Sequence, residues 1–543
     1  MACSKSGEGV RFTRAGALLA AALMATSLGL TACSSDDSAD SSIVTTNAGE
    51  PQNPLVPTNT NENMGGRVVD RLWSGLKYYD ANGVAHNEVA QSIESTDRKN
   101  YKITLKDWKF SDGTPVTAKS FVDAWNFGAL STNAQLQSYV FSPIKGFKDV
   151  SAEKPTAQTM SGLKVVDDRT FTVELEAPSI DFETGLGFAP FYPLPEAAYK
   201  DIKAYGENPI GNGPYKFASN GAWQHNVQID LVPNPEYKGG RPAKNKGLRF
   251  VMYQTFETAY QDLLAGNLDS LDVIPDGALA TYKKELGDRA ITKPIAYKAA
   301  IGIQTTTPHF GGEEGVLRRK AISMAINREQ ISENIFHGTR VPAKDFTAST
   351  LPGFNGNLPG SEVLKYNPEE AKKVWAQANA ISPWSGTYEI AYNSDGGHQG
   401  WIEATANSIK NTLGIEAVGT PYPTFKNIRD LINGKTINKA FRYGWQGDYP
   451  TMLQFLTAQY YSFSETNNVN YNSPEFDKLL NDALAASTQD ESYKIIAQAQ
   501  ALLFKDMADI PMFDYAAAAG RSDKVKKAEM AWNGLFDFEG IEK

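Results

Sequence analysis

The chain runs to 543 residues with only two cysteines, Cys3 and Cys33, so from residue 34 onward no disulfide can form within it. Whatever that long stretch folds into must be held by buried apolar surface. Small exported domains lean on disulfides because their cores are too small, but a body of this size is stable without one. It is also too long for one ordinary core, so two or more domains are expected. The same count excludes Cys-based metal sites and thiol redox chemistry from the body. Twenty-four Tyr and nine Trp supply flat, amphipathic surface, as useful for lining a cleft as for filling a core.

The N-terminus carries an export signal. Lys5, Arg11 and Arg14 precede an uncharged apolar run over residues 15–30, which is short for a membrane span and has secretory flanks. The run ends in Leu30-Thr31-Ala32-Cys33, which resembles a bacterial lipobox. That resemblance implies a lipoprotein signal peptide over residues 1–32, cleaved so that Cys33 becomes a diacylated N-terminus. Cys3 is then lost with the signal. Residues 34–57 are small, polar and Pro-containing, which predicts a flexible tether, placed at 33–54. Residues 1–32 carry a charge of +2, so the chain's −9 leaves −11 on the remainder. An acidic body with no basic stripe argues against nucleic acid.

Beyond the tether, strands and helices alternate. Residues 101–107 and 171–175 alternate apolar and polar, as half-buried strands do. Between them Ser111-Asp-Gly-Thr-Pro115 reads as a turn, and Thr117 as the cap of a helix with Phe121, Ala124 and Trp125 on one side. Leu317, Ala321, Met324 and Ala325 recur at helical spacing, continued by Ile331 and Ile335. Asn367-Pro368-Glu369-Glu370 is a helix start: a cap, Pro at the first position, then acids in the first turn. Ile402, Thr405, Ile409 and Leu413 give a further apolar face that Gly414 terminates, and Ser473-Pro474 opens another helix. The order is α/β in more than one domain, with no repeat of fixed period.

Recognisable reaction chemistry is missing. The five histidines, His86, His225, His309, His337 and His398, have no second His or Cys at ligand spacing and read as surface or structural groups. Gly434-Lys435-Thr436 resembles the end of a phosphate loop, but Arg429 stands where its first Gly is required. Gly211-Asn-Gly213-Pro lacks the third Gly of a dinucleotide loop. No Gly-x-Ser-x-Gly elbow occurs. A large exported chain of this kind reads as a binder, with an exported hydrolase as the remote alternative.

Six segments occur in register: 109–118 (KFSDGTPVTA), 208–217 (NPIGNGPYKF), 231–239 (LVPNPEYKG), 317–329 (LRRKAISMAINRE), 444–450 (GWQGDYP) and 471–477 (YNSPEFD). Together they resemble the extracellular solute-binding proteins of the peptide/nickel family, family 5. The resemblance implies an α/β, two-lobe periplasmic-binding-protein fold (type II, cluster C) with an extra subdomain in lobe I. Lobe I is placed at 55–75, 209–300 and 511–543, the extra subdomain at 76–208 and lobe II at 301–510. The chain would cross between lobes near 300–308 and 510–514. It further implies a monomer that captures short peptides between the lobes and delivers them to the permease subunits of an ABC transporter. Its place would be the outer face of the cytoplasmic membrane, held by the lipid on Cys33. No cofactor or metal is implied. Members that bind nickel chelates, haem, oligosaccharides or signalling peptides leave other ligands open.

The resemblance also implies site residues. In the family an Asp three residues after a Trp pairs with the ligand's α-ammonium, and Asp448 takes that place after Trp445, which lines the pocket. In some oligopeptide binders an Arg three residues before that Trp meets the ligand carboxylate, and Arg442 matches it. A planar guanidinium suits a carboxylate. Tyr449 completes the set. Many members follow this Tyr with an acid and then Pro, whereas here Pro450-Thr451-Met452 follows directly, which bears on the pocket's shape and the ligand's length.

Overall fold

The structure, a computed structural model, describes residues 42–464 and 466–543. The expected signal peptide and Cys33 lie outside the described residues. The backbone is organised around one 12-stranded sheet. Its main path runs Ala417–Tyr422, Tyr388–Asn393, Ala440–Gln446, Ala290–Gly302, Ile510–Arg521, Ser270–Leu271, Val44–Ala48, Leu248–Met252, Gln228–Pro233 and Tyr215–Phe217. Each flank has parallel neighbours. Val44–Ala48 lies parallel to Leu248–Met252, and Tyr388–Asn393 parallel to Ala417–Tyr422. The flanks are joined by the two longest strands, Ala290–Gly302 and Ile510–Arg521, which pair antiparallel with irregularities between Pro294 and Lys298 and between Ala299 and Ala300.

Buried side chains gather into separate cores. One draws on residues 296–513, a second on residues 44–250 with 517–541, and a small third on residues 259–286. This is the two-lobe α/β architecture, with the long strand pair running between the main cores. A separate four-stranded antiparallel sheet, Ala90–Glu94, Asn100–Leu105, Thr170–Glu174 and Leu163–Asp167, packs under the helix Ala118–Ala129. Thr117 and Ser120 cap that helix reciprocally. Its Phe121 ring stacks on Phe171 at 5.9 Å, and Trp125 meets Phe171 edge-on at 5.6 Å.

Two expectations are corrected. The tether fails from Val44 onward, because Val44–Ala48 is a strand inside the large sheet with Thr46 and Asn47 buried. Thr45 and Asn47 are tolerated there because distant acids receive them. Asp269 accepts from the Thr45 amide (2.9 Å) and hydroxyl (3.0 Å), and Asn47 donates to Asp272 at 2.8 Å. The helical run from Leu317 to Ile335 is two helices, Gly312–Ala325 and Arg328–Phe336. Ile326 is extended, and Asn327 caps the second helix by accepting from the Gln330 amide at 3.1 Å.

Candidate ligand-binding site

Between the two main cores lies a cavity of about 3110 Å³. Arg442, Trp445, Asp448 and Tyr449 all line it. The strand Ala440–Gln446 delivers the first two. It pairs with the crossing strand Ala290–Gly302, setting Arg442 opposite Ile301 and Trp445 opposite Lys298. Between them Gly444 is needed as glycine, since a Cβ there would fall 2.7 Å from the Tyr297 ring. The strand ends at Gln446, and the amide of Gly447, just past it, donates to the Ala296 carbonyl at 2.9 Å. Asp448 and Tyr449 occupy the turn that follows. Thr451 closes it by capping the helix Met452–Tyr460, accepting from the Gln454 amide at 3.2 Å.

Gln454, one turn into that helix, reaches back to both candidate residues. Its amide nitrogen donates to the Asp448 carboxylate at 2.6 Å, and its amide oxygen accepts from the Trp445 indole at 3.2 Å. Burial pushes the Asp448 carboxyl up to about 7, with the Gln454 hydrogen bond opposing. A half-buried carboxylate beside one neutral amide is a place where a cation gains. Arg442 is buried, donates to the Asn393 side-chain oxygen at 2.8 Å and lies 5.3 Å from the Phe425 ring. The Tyr449 ring sits 6.4 Å from that of Phe188, and its hydroxyl lies beside the Asp181 carboxylate.

The cavity wall also holds groups that sequence reasoning passed over. Arg340 is clamped between the Phe336 and Tyr515 rings at 3.9 and 4.3 Å, and its buried Nη1 has no hydrogen-bond partner. Arg429 donates to the Asn468 side chain at 3.1 Å. His398 is held neutral, its pKa driven down to about 2 by burial first and by Arg442 and Arg340 next. Its Nδ1 accepts from the Trp401 indole at 3.2 Å. A His set aside as structural thus faces the cavity as a neutral group among guanidiniums. Nothing in the local sequence marks Arg340, Arg429 or His398, because their neighbourhood forms only on folding. Gln454 was within reach of a sequence argument, since Thr451 as a helix cap turns Gln454 back toward Asp448. Among the described residues no cluster of His, Cys, Asp and Glu could hold a metal ion, and no helix is long and apolar enough to cross a membrane.

A cavity between α/β lobes joined by two crossing strands, with acids and guanidiniums on its walls, defines a ligand-enclosing binding protein. The family model described as bacterial extracellular solute-binding proteins, family 5 middle, matches residues 85–467. The chain belongs to the family 5 bacterial extracellular solute-binding proteins, which bind solutes and are not enzymes. Among its relatives is the oligopeptide-binding protein OppA of Bacillus subtilis, 27% identical over 496 residues, covering 88% of this chain and 89% of that one. The fold is similar to that of the Escherichia coli murein tripeptide binding protein MppA, with a TM-score of 0.79 at 22% identity over 92% of this chain and 98% of that one. It is equally similar to Haemophilus influenzae OppA in complex with the peptide RPPGFSPFR, with a TM-score of 0.79, 23% identity and the same coverage.

Proposed function

We propose that this protein captures short peptides in the interlobe cavity and delivers them to the permease of an ABC importer. It works as a monomer tethered by lipid at Cys33 on the outer face of the cytoplasmic membrane. Asp448 pairs with the peptide's α-ammonium, Arg442 meets carboxylate charge further along the ligand, and Trp445 and Tyr449 line the space between. The observation that carries this reading is the desolvated Asp448 carboxylate, facing the cavity with Gln454 as its hydrogen-bonding partner. Relatives named for oligopeptide and tripeptide binding support the ligand class. In this reading the grip falls on groups every peptide shares, and side chains occupy a roomy cavity where water adapts to them.

The test is calorimetry with free and N-acetylated forms of the same peptides, together with mass spectrometry of any ligand that co-purifies. The expected result is tight binding of free peptides and loss of affinity on acetylation. In a closed cleft, removing one partner of a buried pair costs about 3–5 kcal/mol, which takes a ligand held near 1 μM to about millimolar. Equal affinity for both forms rejects Asp448 as the ammonium partner. A co-purifying sugar or metal chelate in place of peptide rejects the ligand class.

A further inference from the structure

The turn that carries Asp448 is held from the far side of the sequence. Asp181, 7% exposed, accepts a hydrogen bond from the Thr451 hydroxyl at 3.1 Å across 270 residues of chain. The Tyr449 hydroxyl converges on the same carboxylate. Both residues follow Asp448 closely, one and three positions after it. Gly185, in the short helix that begins just after Asp181, lies against the Tyr449 ring, and Phe188 packs against it. The contact continues along the same seam. The Ile180 amide donates to the Leu484 carbonyl at 2.7 Å, and the Arg98 guanidinium donates to the Ser487 carbonyl at 2.5 Å and to that of Ala486. Residues 98 and 180–188 therefore clasp both the 448–451 turn and the C-terminal end of the helix Pro474–Ala485.

We infer that Asp181 is a positioning residue for the ligand-ammonium site, its carboxylate holding the Asp448–Thr451 turn in the shape that presents Asp448 to the cavity. The inference rests on the reading of Asp448 as the ammonium partner. A carboxylate suits the task because its two oxygens can accept from more than one hydroxyl at once. Burial raises the Asp181 carboxyl only to about 6, so at neutral pH it stays mostly ionised and the hydrogen bond from Thr451 is charge-assisted. Without it, Thr451 loses its acceptor and Tyr449 the carboxylate beside its hydroxyl, and only Gln454 still restrains the Asp448 side chain.

A double-mutant cycle tests this, with tetra-alanine and N-acetyl-tetra-alanine as probes in calorimetry. Asp181→Ala should weaken binding of the free peptide about tenfold, the loss expected when the charged acceptor of one buried hydrogen bond is removed. It should leave affinity for the acetylated peptide unchanged. Asp181→Asn keeps one carbonyl acceptor and should recover most of the loss while guarding against misfolding of the alanine variant. On the Asp448→Asn background, Asp181→Ala should cost nothing further. Equal losses for both peptides, or the same loss with and without the Asp448 carboxylate, would make Asp181 a general structural group and overturn the inference. Failure of the underlying reading shows separately, as wild-type protein that does not distinguish the two probes.

Discussion

Asp448 sits where a carboxylate gains most from a cationic visitor, and its protonation should report on both folding and binding. Burial raises its pKa from 3.8 to about 7. The folded chain therefore keeps a proton that the unfolded chain releases between about pH 4 and pH 7. Over that window stability falls as pH rises, and above about pH 7 the full penalty is present. Asp448→Asn removes the penalty, so the ligand-free variant should match wild type at pH 4 and exceed it at pH 8. The gain should be on the order of 2 kcal/mol, the rise from 3.8 to about 7 discounted by half for solvent reaching a partly exposed group. Denaturant melts at the two pH values check this, and a variant weaker than wild type at pH 8 contradicts it. Binding runs the other way, since an ammonium stabilises the ionised form. Peptide affinity should fall as pH drops from 7 to 5, by up to about tenfold for each step of one.

At the scale of elements, what could be read in advance is what is decided locally. Asn367 accepts from the Glu370 amide and opens Pro368–Ile381, Ser473 opens Pro474–Ala485, and Gly414 ends Gln399–Leu413 at φ 70°. Capping involves three or four neighbouring residues, so a single sequence displays it. The strand Val44–Ala48 was illegible for the opposite reason, since its hydrogen-bonding partners lie more than 200 residues away. The crossing strand Ala290–Gly302 hides a second non-local feature, Lys298. This side chain is fully buried, its Nζ 3.6 Å from the equally buried Asp509 carboxylate and in contact with the Tyr460 hydroxyl. Tyr443, from the strand that carries Arg442, donates to the same carboxylate. Lys298→Met leaves that carboxylate buried without its cation and should cost about 3–5 kcal/mol. Adding Asp509→Asn removes the stranded charge and should restore part of the loss. Chemical denaturation of the single and double variants decides, and a single variant as stable as wild type removes Lys298 from the energetics of the crossing.

For the molecule as a whole, the size of the cavity sets the last requirement. Small-ligand pockets usually enclose roughly 300–1,000 Å³, and here the space is about 3110 Å³. A short peptide cannot touch Asp448 on one wall and the remaining walls together unless the lobes approach. The strand pair between the cores has the means to let them, because its ladder is broken at Pro294/Lys298 and again at Ala299/Ala300. Such irregularities free backbone from the ladder and let a strand bend. This also explains why the site was only half legible in sequence. Arg442, Trp445, Asp448 and Tyr449 sit close together on one strand and its turn, whereas Asp181, Arg340 and His398 join them only through the fold. Peptide should shift the equilibrium toward a closed form by its higher affinity for that form. Small-angle scattering should then show a smaller radius of gyration with saturating tetrapeptide than without. The cavity-lining Trp445 and Trp532 should change their fluorescence in the same titration. A fluorescence change at constant radius would mean that the peptide binds one wall only, and that closure is not how this protein holds its ligand.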